Sequence, residues 1–77
     1  MKIKVKISNT LRHIVEGLPS DAVVEKAEPF TVGCLAKDLK IPPILIAVII
    51  VDGKKCTLDF LLTKNAEIAL IGPIHGG

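Results

Sequence analysis

The chain opens on an unbroken alternation, with Lys2, Lys4 and Lys6 interleaved with Ile3, Val5 and Ile7. A period of two marks a strand with one wet face and one buried face. In SNTLRHIVEGLP, Asn9 or Thr10 is placed to cap a short helical turn running to about Val15, and Gly17 and Pro19 end it. DAVVEKAEP reads as a second strand, stopped by Pro29 and antiparallel to the first in the simplest arrangement. Thr31 is the expected N-cap of a helix to about Lys40, whose apolar stripe is Val32, Leu35, Ala36 and Leu39. Pro42 and Pro43 terminate it.

ILIAVIIV, residues 44–51, is rich in β-branched residues and too short for most helices, so it is predicted as a strand. Asp52-Gly53 closes it with a dipeptide suited to a type I′ hairpin turn, in which both central residues take positive φ. KKCTLDFLL returns as a looser strand, TKNA turns again, and EIALI is the last strand before Gly72-Pro73. The predicted class is α+β: a mixed sheet of four to five strands curled around one main helix at about 31–40. The 44–51 run is apolar at every position, whereas a strand with one wet face should alternate. Either the chain's own loops cover its second face, or Ile46, Val48 and Ile50 (or the alternate set) form an exposed patch that docks a partner.

Composition narrows the function more than the fold. Of the 77 residues, 49% are hydrophobic and only 3% aromatic, so the core is built from Ile, Leu and Val, and disorder is excluded. A net charge of +2 is too mild to imply a nucleic-acid partner, and the aromatic shortage removes base-stacking platforms. The longest apolar run falls short of the roughly 20 residues that span a bilayer, and the amino-terminal alternation is unlike a secretion signal. The expectation is a soluble, cytoplasmic protein that is a monomer when free.

No catalytic constellation can be argued. His13 and His75 assemble no site, and no Ser-His-Asp, paired-carboxylate or His/Cys ligand spacing occurs, so neither a metal nor a bound cofactor is expected. Cys34 and Cys56 lack C-x-x-C spacing and are read as small packing residues, although sulfur-handling nucleophiles are the alternative. Lys2, Lys4 and Lys6 read as a solvated strand face, with an acidic groove on a partner as the other use. Arg12 is read as facing water.

Four stretches carry a resemblance over nearly the whole chain: MKIKVKISNTLRHIVEG, TVGCLAKDLKIP, IAVIIVDGKKC and NAEIALIGPIHGG. They resemble the ubiquitin-like β-grasp sulfur carriers, nearest to the small subunit of molybdopterin synthase and its archaeal ubiquitin-like relatives, with the thiamine-thiazole carrier a shorter cousin. The matching residues are Leu11-Arg12, Thr31-Val32 with Leu35 and Leu39, Val51-Asp52-Gly53, 65–69, and Pro73-Ile74-His75-Gly76-Gly77. Departures are Gly72 in place of the usual first proline of the ending, Asn65-Ala66 in place of a Gly-Asp turn, and His75 in place of a small residue. The resemblance implies a β-grasp domain over 1–72 and a flexible tail over 73–77.

It further implies that the protein is not an enzyme. The carboxylate of Gly77 would be adenylated with ATP by an adenylyltransferase of the ubiquitin-activating type, then converted to a thiocarboxylate. That group would donate sulfur to a synthase large subunit, with molybdopterin biosynthesis the first expectation. Conjugation to other proteins through Gly77, thiazole formation and tRNA thiolation are the alternatives. The tail's residue types fit such handling: Gly76 and Gly77 have no Cβ and can thread a narrow channel. Pro73 cannot extend a sheet ladder, and Ile74 and His75 are left for recognition. Fully extended, residues 73–77 reach ~17 Å.

Overall fold

A computed structural model of the chain describes residues 1–73. The alternation at the amino terminus becomes β1 (Lys2–Ile7), with the three lysines exposed and Ile3, Val5 and Ile7 buried. It is followed by α1 (Asn9–Ile14), β2 (Asp21–Glu25), β3 (Phe30–Thr31), α2 (Val32–Asp38), β4 (Val48–Val51), β5 (Lys54–Cys56), β6 (Leu61–Leu62) and β7 (Ala66–Ile71). β2, β1, β7, β4 and β5 lie in that order in one five-stranded sheet, while β3 and β6 form a separate antiparallel pair. β1 runs parallel to β7 and antiparallel to β2, and β4 is antiparallel to both β7 and β5, so the sheet is mixed.

Register sets the core. Val5 lies opposite Ile68 and Ile7 opposite Leu70 across the parallel pair, while Ile49 meets Leu70 and Val51 meets Ile68 on the other side. These residues share one face of the sheet, and Val32, Leu35 and Ala36 of α2 are buried with them, as are Leu11, Ile41 and Leu62. The Thr31 hydroxyl caps α2 by accepting the Cys34 N–H at 3.2 Å, as the sequence predicts. Loop carbonyls satisfy two more first-turn donors, Phe60 C=O for Val32 and Leu58 C=O for Gly33.

Several local expectations are corrected. The cap of α1 is Ser8, not Asn9 or Thr10. The Ser8 backbone is extended, and its hydroxyl reaches back over the first turn to the Leu11 N–H. The helix at 31–40 ends two residues early, at Asp38, because Lys40 adopts φ +61. The Ile41 N–H then bonds Ala36 C=O and the Lys40 N–H bonds Lys37 C=O, a Schellman closure made without glycine. The 44–51 run is not one strand. Pro42 and Pro43 offer no ladder donors, so Pro43–Leu45 forms a 3₁₀ turn and the strand starts at Val48. KKCTLDFLL likewise divides into β5 and β6, with a turn at 58–59 between them.

Candidate functional site

Two features outside the core have functional interest: the outer face of the sheet and the root of the carboxy-terminal segment.

On the outer face, β4 resolves its own ambiguity. Ile49 and Val51 are buried, while Val48 and Ile50 are half-buried and face away from the core. Opposite them on β7 lie Ile71 and Ala69, both half-buried, so four apolar side chains form a continuous strip across the two strands. Ile46 precedes the strand and packs against the core cluster. Lys6 sits beside Ala69 and Lys4 beside Glu67 on the neighbouring strand. Val23 of β2, 59% exposed, is the partner of Lys4 on the far side. The result is an open groove of about 380 Å³ lined by Lys4, Lys6, Val23, Ile50 and Ala69, with Asp52 at one end. Its floor is aliphatic and its rim carries charge of both signs.

The root of the tail is fastened. Gly72 is buried, and its N–H donates to the Ser8 hydroxyl at 3.0 Å. That hydroxyl also accepts the Leu11 N–H, and the Ser8 backbone N–H donates to Leu70 C=O at 3.0 Å. Gly72 packs so closely on α1 that a Cβ would fall 2.8 Å from Thr10 Oγ1 and 3.1 Å from the Leu11 nitrogen. Here glycine is required for close approach, not for a positive φ. Pro73, half-buried, is the last described residue; Ile74, His75, Gly76 and Gly77 lie outside the described residues.

The remaining candidates do not converge. His13 and Arg12 are exposed on α1, with the Arg12 guanidinium donating to Asn9 Oδ1. Lys2 lies 3.9 Å from Glu25 at the exposed edge of the sheet. Cys34 is exposed on the first turn of α2 instead of packed along its stripe, because the helix turns that position outward. The Thr31 hydroxyl and backbone beside it lower the thiol's pKa, with Lys37 adding a smaller pull. Cys56 is half-buried against the core, its Sγ–H donating to Lys54 C=O at 3.5 Å. Among the described residues no group of three or more His, Cys, Asp or Glu is placed to hold a metal ion, and no helix is long and apolar enough to cross a membrane.

The whole chain superposes on SAMP1 from Haloferax volcanii with a TM-score of 0.72, covering 100% of both chains at 18% identity. The fold is a ubiquitin-like β-grasp. A second β-grasp structure, assigned as molybdopterin converting factor subunit 1 from Pyrococcus furiosus, gives a TM-score of 0.69 at 20% identity, over 96% of this chain and 99% of that one. No family model matches the sequence, and no curated protein does. In β-grasp terms, the strip of Val48, Ile50, Ala69 and Ile71 lies on the open side of the sheet, and α2 fills the closed side.

Sequence reasoning did not find Ser8, Thr10 or Gly72 as a unit. Ser8 stood next to two equally good cap formers, and nothing local links residue 8 to residue 72. The one available signal was a glycine at the end of a strand pattern where the resemblance leads one to expect proline.

Proposed function

We propose that this chain is a sulfur carrier that is acted on by other proteins and is not itself an enzyme. The observation that carries the reading is the pairing of a β-grasp body with a Gly-Gly ending that follows its last strand. In the first step a Gly77 carboxylate oxygen attacks the α-phosphorus of ATP inside an activating enzyme. The acyl–phosphate bond forms, the α–β phosphoanhydride breaks and pyrophosphate leaves. Hydrosulfide then attacks the acyl carbon, AMP departs with the C–O bond, and the thiol proton goes to solvent, leaving a thiocarboxylate.

The chain's own part is to dock and to present. Val48 and Ile50, with Ala69 and Ile71, supply the apolar contact for a partner, and Lys4 and Lys6 on the rim orient it. Of the trio Ile46, Val48 and Ile50, the last two serve this face, and Ile46 supports the core beneath its edge. Pro73 to Gly77 is the segment taken into the partner's channel. The sulfur goes to a synthase large subunit, and the pterin precursor of the molybdenum or tungsten cofactor is the acceptor class favoured by the Leu11-Arg12 and Pro73-x-x-Gly76-Gly77 pattern.

Intact mass after incubation with ATP, a ubiquitin-activating-type adenylyltransferase and sulfide tests this. The carrier gains the difference between sulfur and oxygen, and a chain lacking Gly76 and Gly77 gains nothing while melting at the same temperature. An unaltered wild-type mass, or charging of the truncated chain, overturns the reading. Conjugates joined through Gly77 to lysines of other proteins would instead mark a protein modifier.

A further inference from the structure

We infer that Ser8 is a positioning residue for the tail: with Thr10 and Gly72 it forms a clamp that fixes where, and in which direction, the segment from Pro73 leaves the body. The inference rests on the carrier reading above, and concerns a part of the chain that neither the docking face nor the reacting terminus includes.

Ser8 Oγ is the hub of three hydrogen bonds. A hydroxyl has one proton and two acceptor lone pairs. Two backbone donors point at Ser8 Oγ, Gly72 N–H at 3.0 Å and Leu11 N–H at 3.4 Å. Both acceptor positions are therefore taken, and the Ser8 proton goes to Thr10 Oγ1, 3.0 Å away. One side chain thus caps α1, anchors the residue after β7 and holds Thr10 in place. Thr10 Oγ1 is also the atom nearest to where a Cβ on Gly72 would stand. The fit is closed from both sides: Ser8 supplies the acceptor, and the missing side chain at Gly72 lets the backbone reach it.

A purely structural cap would not need this second contact. The Ser8 N–H to Leu70 C=O bond already extends the pairing of β1 with β7, and Leu11 is already buried. What the Gly72 bond adds is a fixed origin for the tail relative to the outer sheet face, because Gly72 directly follows β7, which carries two residues of the apolar strip, Ala69 and Ile71. A partner bound to that strip meets the terminus at a set distance and angle, and displacing a reacting group by an ångström can cost on the order of 100-fold in rate.

The test is steady-state pyrophosphate release by the activating enzyme with carrier as the varied substrate. Ser8→Ala removes the acceptor, and Gly72→Ala drives the root off α1 with Ser8 intact. Each is expected to lower kcat by about tenfold or more with KM unchanged, since the docking strip is untouched. Ser8→Thr keeps the hydroxyl and restores the rate. Thr31→Ala, which removes an equivalent cap from α2 far from the tail, controls for lost stability and keeps the wild-type kcat. Wild-type kcat in Ser8→Ala, or an equal loss in Thr31→Ala, overturns the clamp. A wild-type chain that is never adenylated sinks the carrier reading instead. The Gly72 amide then decides the clamp alone: slow hydrogen exchange in wild type and Ser8→Thr with fast exchange in Ser8→Ala supports it, and fast exchange in wild type refutes it.

Discussion

The carboxylate of Asp52 accepts the backbone N–H of Glu67 at 2.9 Å, and the Asp52 N–H donates to the Glu67 carbonyl at 2.9 Å. This reciprocal pair ties the β4–β5 turn to β7, beyond the last ladder pair at Val51 and Ile68. Asp52 makes it from φ +48, and Gly53 follows at φ +83, the two left-handed residues of the turn.

Replacing Asp52 with Ala removes the acceptor and leaves a side chain poorly suited to positive φ, so a loss of about 2 kcal/mol is expected. Asn, which tolerates the left-handed region and keeps an Oδ1 acceptor, should recover most of it. The denaturant midpoint of the two variants, at unchanged slope, is the measurement.

Ile49 and Ile50 are adjacent in β4 and face opposite ways. Ile49→Ala opens the core and is expected to cost about 2–5 kcal/mol, enough to unfold much of a domain this small. Ile50→Ala should cost about 1 kcal/mol and, on the carrier reading proposed above, weaken affinity for an activating enzyme. Urea denaturation and titration calorimetry on the same two proteins separate the roles. Equal stability losses would remove the distinction between the faces.

Lys40 closes α2 at φ +61, where a side chain is strained and glycine is not. Lys40→Gly is therefore expected to raise stability by about 0.5–1 kcal/mol, the strain relieved exceeding the added flexibility of the unfolded chain. A melting temperature that falls would count against the Schellman geometry at 36–41.

Cys34 is exposed, and its neighbour Thr31 lowers its pKa. A lowered pKa puts more thiolate at any pH below the ordinary thiol range, so Cys34 should alkylate before the half-buried Cys56. Its rate-against-pH curve should be displaced towards acid from that of a free cysteine peptide. Thr31→Val should move the curve back. Mass spectrometry of iodoacetamide-treated protein across a pH series reads both effects.

The elements that the sequence made legible were those written locally. Lys-Ile-Lys-Val-Lys-Ile can be only a one-sided strand, Asp52-Gly53 demands a left-handed turn, and Thr31 before an apolar stripe caps a helix. Pairing is different, because no local pattern records that β1 lies parallel to β7 and between it and β2. The helix ran short because Lys40 adopts a conformation that its own side chain disfavours, and the strand at 44–51 ran short because two prolines preceding it carry no donors. On the candidate site, strand parity left two possible faces for β4, and packing chose between them. The clamp at Ser8 was hidden because both its halves look ordinary where they stand.

The parallel pairing that sets Ile3 beside Ala66 also governs when the molecule can form. A nascent polypeptide leaving the ribosome carries β1 and β2 early, yet their sheet lacks its centre until β7 has been made, and closing so long a loop is slow. The strand that completes the sheet is the one that leads directly into the segment from Pro73. Synthesis that stops short of β7 therefore forfeits both at once: the sheet has no centre strand and the segment from Pro73 does not exist.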